Sequence, residues 1–104
     1  MKILAVTACT AGIAHTYIVA EKIQTAAEEL GHQCKVETQG SAGIENQLTA
    51  EDIQDADVII FSHDIAIRGQ ERFAGKKVVD VPISTAMKQP KSLITTIEKK
   101  LAVR

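Results

Sequence analysis

Residues 2–16 read Lys2-Ile-Leu-Ala-Val-Thr-Ala-Cys9-Thr-Ala-Gly-Ile-Ala-His15-Thr16, and this stretch decides the fold. It opens with a continuous apolar run, which is typical of a strand that is buried on both faces of a parallel sheet. A short run of small residues follows, and a helical pattern begins at about Ala14. A strand, a tight connection and a helix in this order predict the first unit of an α/β fold.

The first helix is predicted from about Ala14 to Leu30. Apolar residues recur in it at three- and four-residue steps, which is the pattern of a helix with one buried stripe. The stripe consists of Ile13, Tyr17, Ala20, Ile23, Ala27 and Leu30. Gly31 follows as a helix stop, because glycine adopts the left-handed conformation at little cost.

The same alternation of strand and helix patterns continues along the chain. Strands are predicted at Lys2–Ala8, Gln33–Thr38, Asp57–Ser62 and Lys77–Val81. Shorter helices are predicted from Thr49 and over Arg68–Phe73, and a last helix near Pro90, since proline fits only the first turn. With right-handed crossovers, we expect an open four-stranded parallel sheet in the order 2-1-3-4 with helices on both faces, a Rossmann- or flavodoxin-like three-layer sandwich.

Size and charge limit the classes of function. The 104 residues, of which 45% are hydrophobic, fit one domain spanning residues 1–104. The net charge is -1 and no basic field is present, so nucleic acid is not an expected partner. No apolar run approaches the length of a membrane span, so direct membrane insertion is not expected. Two cysteines, Cys9 and Cys34, do not make a disulfide framework, so we expect a reduced, cytoplasmic protein.

The connection after the first strand is the candidate active site. In open α/β sheets, ligands bind beyond the carboxyl ends of the strands where strand order reverses, which here is the crevice between strands one and three. Small residues would let backbone N–H groups point inward, along the positive end of a helix dipole, and so bind an anion. The candidate phosphate-binding loop consists of Cys9, Thr10, Ala11, Gly12, Ile13, Ala14, His15 and Thr16.

Cys9 is the candidate catalytic nucleophile. A thiol at the rim of such a loop should have a depressed pKa, because the field that binds anions also favours the thiolate. The loop would then hold the phosphate that Cys9 accepts, and the imidazole of His15 could stabilise charge on the transferring oxygens. The plainer alternative is a buried cysteine at a strand end, with His15 and Thr16 capping a helix.

The same loop admits a rival class of enzyme. Cysteine-dependent phosphatases have a cysteine, five residues, then arginine and a hydroxyl residue, where this chain has His15 and Thr16. An imidazole cannot form the two parallel hydrogen bonds by which a guanidinium holds a phosphate. This difference favours a phosphoryl carrier over a low-molecular-weight-type phosphatase. A module that only binds a phosphate ligand is a third possibility, which the free thiol in the loop disfavours.

His63-Asp64 follows the third predicted strand and is therefore expected near the same crevice. Asp64 could orient a group of the loop or act as an acid, or it could only cap a turn. Cys34 lies within the second predicted strand, where core packing is the expected role. The stretch Gly40–Gly43 is expected to form a loop on the same side of the sheet as Cys9.

Several motifs together resemble the fructose-specific enzyme IIB component of the bacterial phosphoenolpyruvate-dependent sugar phosphotransferase system. The resemblance runs nearly end to end. Its strongest elements are Val6-Thr-Ala-Cys9 with Gly12-Ile-Ala-His-Thr16, and Val36-Glu-Thr-Gln-Gly-Ser41 with Gly43-Ile-Glu-Asn46. Supporting matches are Leu48-Thr-Ala-Glu-Asp-Ile53, Ala56-Asp-Val58, Asp64-Ile65, and Arg72-Phe73 with Gly75-Lys76. Family members often have Pro-Thr after the cysteine, where this chain has Thr10-Ala11.

The resemblance implies a definite activity. Cys9 would correspond to the family's phosphorylated cysteine and would take a phosphoryl group from a phosphohistidine of IIA. It would donate the group to sugar, with fructose the first expectation, bound in the membrane-embedded IIC permease during uptake. The resemblance implies no metal and no organic cofactor. Relatives in the family serve mannose-like substrates, and IIC rather than IIB holds the sugar.

Overall fold

Strands and helices alternate along the chain. The computed structural model describes residues 2–8, 13–40, 43–63 and 65–102, with the backbone alone at 13–16, 40 and 100–102. The strands are β1 (Lys2–Ala8), β2 (Gln33–Gly40), β3 (Gly43–Glu45), β4 (Val58–His63) and β5 (Val78–Val81). The α-helices are α1 (Ile13–Glu29), α2 (Ala50–Asp55), α3 (Ile83–Lys88) and α4 (Pro90–Ala102), and a 3-10 helix covers Gln70–Phe73.

The strands form one sheet in the order β3-β2-β1-β4-β5. β1 pairs in parallel with both β2 and β4, and β4 pairs in parallel with β5. The four predicted strands therefore have the predicted order, and the α/β fold class is confirmed. The expected count of four strands was wrong, because β3 adds an antiparallel edge strand beside β2.

The extra strand lies where the sequence indicated a loop. β3 has three residues, too few to show the two-residue periodicity of a strand. It turns back on β2 through the pairs Thr38↔Glu45, Gln39↔Ile44 and Gly40↔Gly43. Gly43 has a φ of 109°, a value that side-chain-bearing residues rarely adopt. The antiparallel return therefore depends on glycine at this position.

Helices cover both faces of the sheet. One apolar core lies beneath α1, α3 and α4 and includes Ile3, Ala5, Val19, Ile23, Val36, Ile60 and Ile94. The other lies beneath α2 and the 3-10 helix and includes Leu4, Val6, Ile53, Ile59, Phe61 and Phe73. Successive strand residues thus enter opposite cores, as the pleat requires. Each buried aliphatic side chain contributes about 1.5–3 kcal/mol relative to exposure, which is why the continuous apolar runs become central strands.

Helix ends follow from local sequence. α1 ends at Glu29, and Gly31 follows with a φ of 86°, so the predicted stop is confirmed. The amide of His32 donates to the carbonyl of Ala27 there, which satisfies one of the last helical carbonyls. α2 begins with a capping box: Asp52 N donates to the Thr49 hydroxyl, and Thr49 N donates to the Asp52 carboxylate.

The C-terminal helical region differs partly from expectation. α4 begins at Pro90 as predicted. α3 was not predicted, because its six residues are too few for a helical stripe to be visible in the sequence. The helix expected over Arg68–Phe73 is the shorter 3-10 helix Gln70–Phe73.

Candidate functional site

The carboxyl ends of the four parallel strands lie at one edge of the sheet. β1 leads to β2 on one side, and the chain then crosses to β4 on the other, so strand order reverses between β1 and β4. Ala8 and His63, the last residues of these strands, are partners in register. Residues 9–12 connect Ala8 to the start of α1 at Ile13, so the candidate loop begins at the crevice that the sequence predicted.

The predicted site residues fall partly outside the described residues. Cys9, Thr10, Ala11, Gly12 and Asp64 all lie outside them. The first turn of α1 consists of Ile13, Ala14, His15 and Thr16, whose backbone is helical. The structure therefore describes β1 and α1, which flank the loop in the sequence. The roles assigned to the side chains of the loop stay predictions.

Buried hydroxyls lie in a row across the strands close to this edge. Thr7 is the register partner of both Thr38 in β2 and Ser62 in β4. Their exposed fractions are 1%, 7% and 0% respectively. Ala5 and Ile60, two residues earlier in β1 and β4, belong to the core beneath α1, so Thr7 and Ser62 face the same side. Sequence reasoning missed the row because register between distant strands is not visible in one sequence.

His63 is held by two oxygen acceptors at the end of β4. Its Nδ1 lies 2.6 Å from the carbonyl oxygen of Ile65, and its Nε2 lies 3.1 Å from Oδ2 of Asp80. Both oxygens are hydrogen-bond acceptors, so the ring is held between the end of β4 and β5. His63 therefore lies at the predicted crevice.

An ion pair crosses the other face of the sheet. Glu37 is fully buried, and both of its carboxylate oxygens lie 3.0 Å from terminal nitrogens of Arg72. The Gln39 side-chain amide and the Leu48 backbone N–H also donate to this carboxylate, at 2.7 and 2.9 Å. Burial alone would raise the pKa of Glu37, but hydrogen bonds from Arg72, Gln39 and Leu48 outweigh it and hold the pKa below its ordinary value.

Gln39 extends this network to the segment after β4. Its side-chain oxygen accepts from the backbone N–H of Arg68 at 2.8 Å, and its side-chain nitrogen donates to the Arg68 carbonyl at 2.9 Å. Glu37 and Gln39 belong to the motif Val36–Ser41 that carried part of the resemblance. The motif therefore joins the end of β2 to the chain that follows β4, at the edge of the sheet where the parallel strands end.

A groove of about 670 Å³ runs between α1 and the β2–β3 edge. The Tyr17 hydroxyl donates to the Glu45 carboxylate at its mouth, and this hydrogen bond raises the pKa of Tyr17. Thr38 lines the groove as well. The buried stripe predicted for the first helix was wrong at Tyr17 and Leu30, which are 40% and 38% exposed. Ile44 is 37% exposed, so Tyr17 and Ile44 are both accessible to a partner protein.

Cys34 has the core role that the sequence predicted. It packs against the apolar core beneath α1, and burial, with a contribution from the charge of Glu28, raises the pKa of its thiol to about 12. The thiolate is therefore scarce at neutral pH, and Cys34 is a poor nucleophile.

Neither a metal-binding cluster nor a membrane-spanning helix occurs among the described residues. Within them, no group of three or more His, Cys, Asp or Glu side chains could hold a metal ion. No helix in that part of the chain is long and apolar enough to cross a membrane.

Comparison with known proteins gives matches over most of the chain. The profile of a family described as "PTS system, Lactose/Cellobiose specific IIB subunit" matches residues 4–96. The "PTS system fructose-like EIIB component 2" of Escherichia coli (strain K12) is 54% identical over 101 residues, which are 97% of this chain and 95% of that protein.

A longer relative and a solved structure agree with these matches. The "PTS system fructose-specific EIIABC component" of Bacillus subtilis (strain 168) is 50% identical over 93 residues, which are 89% of this chain and 14% of that protein. The solution structure of the Enzyme IIB subunit of the PTS system from Escherichia coli K12 superposes with a TM-score of 0.92 at 40% identity. That match covers 97% of this chain and 94% of the solved one.

Proposed function

Because the chain belongs to the IIB subunit family of the sugar phosphotransferase system, we propose that it carries a phosphoryl group on Cys9. Family membership and the fructose-like relatives support a role in phosphoryl transfer during sugar uptake. The donor in this proposal is a phosphohistidine of a IIA protein, and the acceptor is sugar, with fructose the first candidate, bound by a membrane-embedded IIC permease. Residues 1–104 form one fructose-like IIB domain that acts in the cytoplasm.

The observation that carries the proposal is the position of residues 9–12. They join the carboxyl end of β1 to the amino end of α1, beside the point where strand order reverses. The first N–H groups of a helix have no partner within the helix and carry a partial positive charge. A phosphoryl group carries up to two negative charges at neutral pH, so the amino end of α1 suits it.

The two half-reactions balance without a cofactor. The Cys9 thiolate attacks phosphorus, an S–P bond forms, and the N–P bond of phosphohistidine breaks with its electron pair going to the imidazole nitrogen. A sugar hydroxyl oxygen then attacks the same phosphorus and loses its proton to water. The S–P bond breaks, and its electron pair returns to sulfur as the thiolate. The protein contributes little covalent chemistry beyond the thiolate. Catalysis therefore depends on positioning the reacting groups and on electrostatic stabilisation of the transferring phosphoryl group.

His63 lies at the same edge of the sheet. Its ring is held between the Ile65 carbonyl and the Asp80 carboxylate, so it cannot swing away without breaking a hydrogen bond. Groups that are fixed before the reaction need no reorganisation during it. Asp64 follows His63 directly and stays the proposed supporting residue beyond the loop.

A coupled assay tests the proposal against the phosphatase alternative. Phosphorylated IIA, this protein and membrane vesicles that contain IIC are incubated with labelled fructose. Sugar phosphate should form only when all three proteins are present, and this protein alone should hydrolyse aryl phosphates negligibly. Rapid aryl phosphate turnover without any sugar phosphate would overturn the carrier proposal in favour of a phosphatase.

A further inference from the structure

The groove between α1 and the β2–β3 edge combines an accessible aromatic side chain with an apolar lining. Its volume is about 670 Å³, and Ala20 of α1 and Val36 of β2 line it. Tyr17, which is 40% exposed, lines it as well. A tyrosine offers a large apolar surface and a polar tip, and such side chains are enriched where proteins bind one another. The groove therefore has the character of a protein-binding surface.

The charge in this groove is negative. Glu21 and Glu28 of α1 and Glu45 of β3 line it, whereas no lysine, arginine or histidine is among its described lining residues. Within the described part of the chain, none of the three glutamates forms an ion pair. Glu45 accepts a hydrogen bond from the Tyr17 hydroxyl, and Glu28 accepts one from the Gln24 side-chain amide at 3.3 Å. Both donors are neutral, so a cationic partner would meet uncompensated carboxylates.

The spacing of these side chains defines what can occupy the groove. Glu21 and Glu28 are seven residues apart on α1, which places them on one side of the helix and about 10 Å apart along its axis. Tyr17 and Glu28 are eleven residues apart, so the groove follows about 16 Å of the helix. An extended segment of about five residues covers this length. Charge complementarity favours a segment with lysine or arginine residues.

We propose that this groove binds a basic cytoplasmic loop of the membrane-embedded IIC permease, an inference that rests on the proposed function. Cytoplasmic loops of membrane proteins carry an excess of lysine and arginine, whereas a soluble IIA protein has no such bias. The cytoplasmic leaflet itself is anionic and repels carboxylates, so the loop rather than the lipid surface fits the groove. The groove thus serves the second half-reaction, in which the carrier meets the permease.

Glu21→Gln combined with Glu28→Gln removes two of the three charges while preserving side-chain size. Both side chains are exposed, so the fold should be retained. Glu45 stays unchanged because it is bonded to Tyr17. The matched control combines Glu51→Gln with Asp55→Asn, two exposed residues of α2 on the opposite face of the sheet. The control makes the same change in net charge outside the groove.

The experiment measures sugar phosphate formation by vesicles that contain IIC, with phosphorylated IIA in excess and the concentration of this protein varied. In the groove variant, the KM for this protein should rise about fivefold, because surface charges govern association. The kcat should stay the same, since no reacting group is altered. The control should keep both constants. At about 0.5 M salt the KM of the natural protein should approach that of the groove variant, because salt screens the attraction.

Two further measurements separate the possible occupants. Phosphate uptake from phosphorylated IIA, followed without vesicles, should proceed at the natural rate in the groove variant. In sedimentation, the natural protein should bind vesicles that contain IIC and not vesicles of the same lipids without it, and the groove variant should bind about fivefold more weakly.

An unchanged KM in the groove variant or an equal rise in the control would overturn the assignment of the groove. Slower uptake from IIA would show that IIA occupies it, and binding to vesicles without IIC would show that lipid is the partner. Absence of sugar phosphate with the natural protein would instead overturn the proposed function. Sedimentation would still test the groove in that case, because it requires no transfer.

Discussion

Cys34 lies within a strand, whereas Cys9 follows a strand in the sequence, and the surroundings of a thiol decide how readily it reacts. Cys34 lies in β2 against the core beneath α1, where burial raises the pKa of its thiol to about 12. Cys9 directly follows β1 in the connection to the amino end of α1. The field at a helix amino end lowers a thiol pKa, whereas an apolar core raises it. The sequence favoured Cys9 as the nucleophile, and the burial of Cys34 makes the other thiol of the chain a poor nucleophile.

Alkylation rates should reflect this difference. At pH 7 the thiolate of Cys34 is rare, because its raised pKa keeps the thiol protonated until the pH approaches about 12. Iodoacetamide should therefore modify Cys9 at least tenfold faster than Cys34 in the folded protein, and phosphate or sulfate should slow the reaction at Cys9. Peptide mapping over time measures both rates.

Cys34→Ala is the control for this measurement. It should leave the rate of alkylation at Cys9 unchanged, whereas Cys9→Ser should abolish the faster of the two alkylation reactions. Equal rates for the two thiols in the folded natural protein would be incompatible with an anion-binding loop at Cys9.

Single residues also mark the limit of what the sequence could predict. His63 could be assigned to the crevice, because it ends a strand that was recognised from its apolar run. Its partner Asp80 could not be assigned, since Asp80 comes from β5 and meets the ring only through strand register. The row of buried hydroxyls that includes Ser62 could not be predicted for the same reason.

Among the elements, β2 and the 3-10 helix are joined by a buried ion pair. Glu37 of β2 and Arg72 of the 3-10 helix form two parallel hydrogen bonds, and Gln39 holds the backbone of Arg68 beside them. Removing one partner of a buried pair leaves the other charge uncompensated, which is far more costly than losing an exposed pair. This contact therefore fixes the segment after β4 against the end of β2.

Glu37→Gln should lower the free energy of unfolding by roughly 3 kcal/mol at pH 7, because the Arg72 guanidinium loses its countercharge. The folded-state pKa of Glu37 is depressed, so its stabilisation is present above the ordinary glutamate range and is lost as pH falls through the folded-state value. The difference between the natural protein and the variant should therefore shrink in acid. Urea unfolding at several pH values measures it.

Glu51→Gln is the matched control, since Glu51 is exposed in the first turn of α2. It should change the unfolding free energy by about 0.5 kcal/mol at most. A Glu37→Gln variant as stable as this control would show that the buried pair does not hold β2 to the 3-10 helix.

Helices and strands could be predicted from the sequence where they had enough residues to show a periodic pattern. α1 was predicted within one residue at each end, because its stripe covers several turns and Gly31 stops it. β3 and α3 were missed, because three and six residues carry no readable period. Tertiary contacts form both: β3 pairs with β2, and α3 packs Ala86 into the core beneath α1.

At the scale of the whole molecule, the parallel strands all end at one edge of the sheet, and several connecting segments begin there. Tyr17 and Ile44 add exposed apolar surface beside that edge. A carrier must let two different proteins reach one sulfur in turn, so this side should be open and shared between them. Transfer complexes are short-lived, which favours a modest interface with a polar rim.

NMR titration with unphosphorylated IIA tests this shared surface. Amide shifts should cluster in residues 10–15, 40–46, 63–68 and the segment after Pro82, and they should spare Leu93–Leu101 of α4. Tyr17→Ala should weaken binding several-fold, because it removes an exposed apolar contact. Val78→Ala is the control, since Val78 is 37% exposed but lies on β5, at the edge of the sheet opposite the β2–β3 edge beside Tyr17. Shifts centred on α4 would mean that the partner docks elsewhere.

Identification of the residue that accepts phosphate tests the central claim most directly. After incubation with phosphorylated IIA, the intact mass should rise by one phosphate, and fragmentation under conditions that preserve the S–P bond should assign it to Cys9. Cys9→Ser should take up none, while Cys34→Ser should behave as the natural protein. Phosphate on His15 or Cys34, or full uptake by Cys9→Ser, would contradict the account.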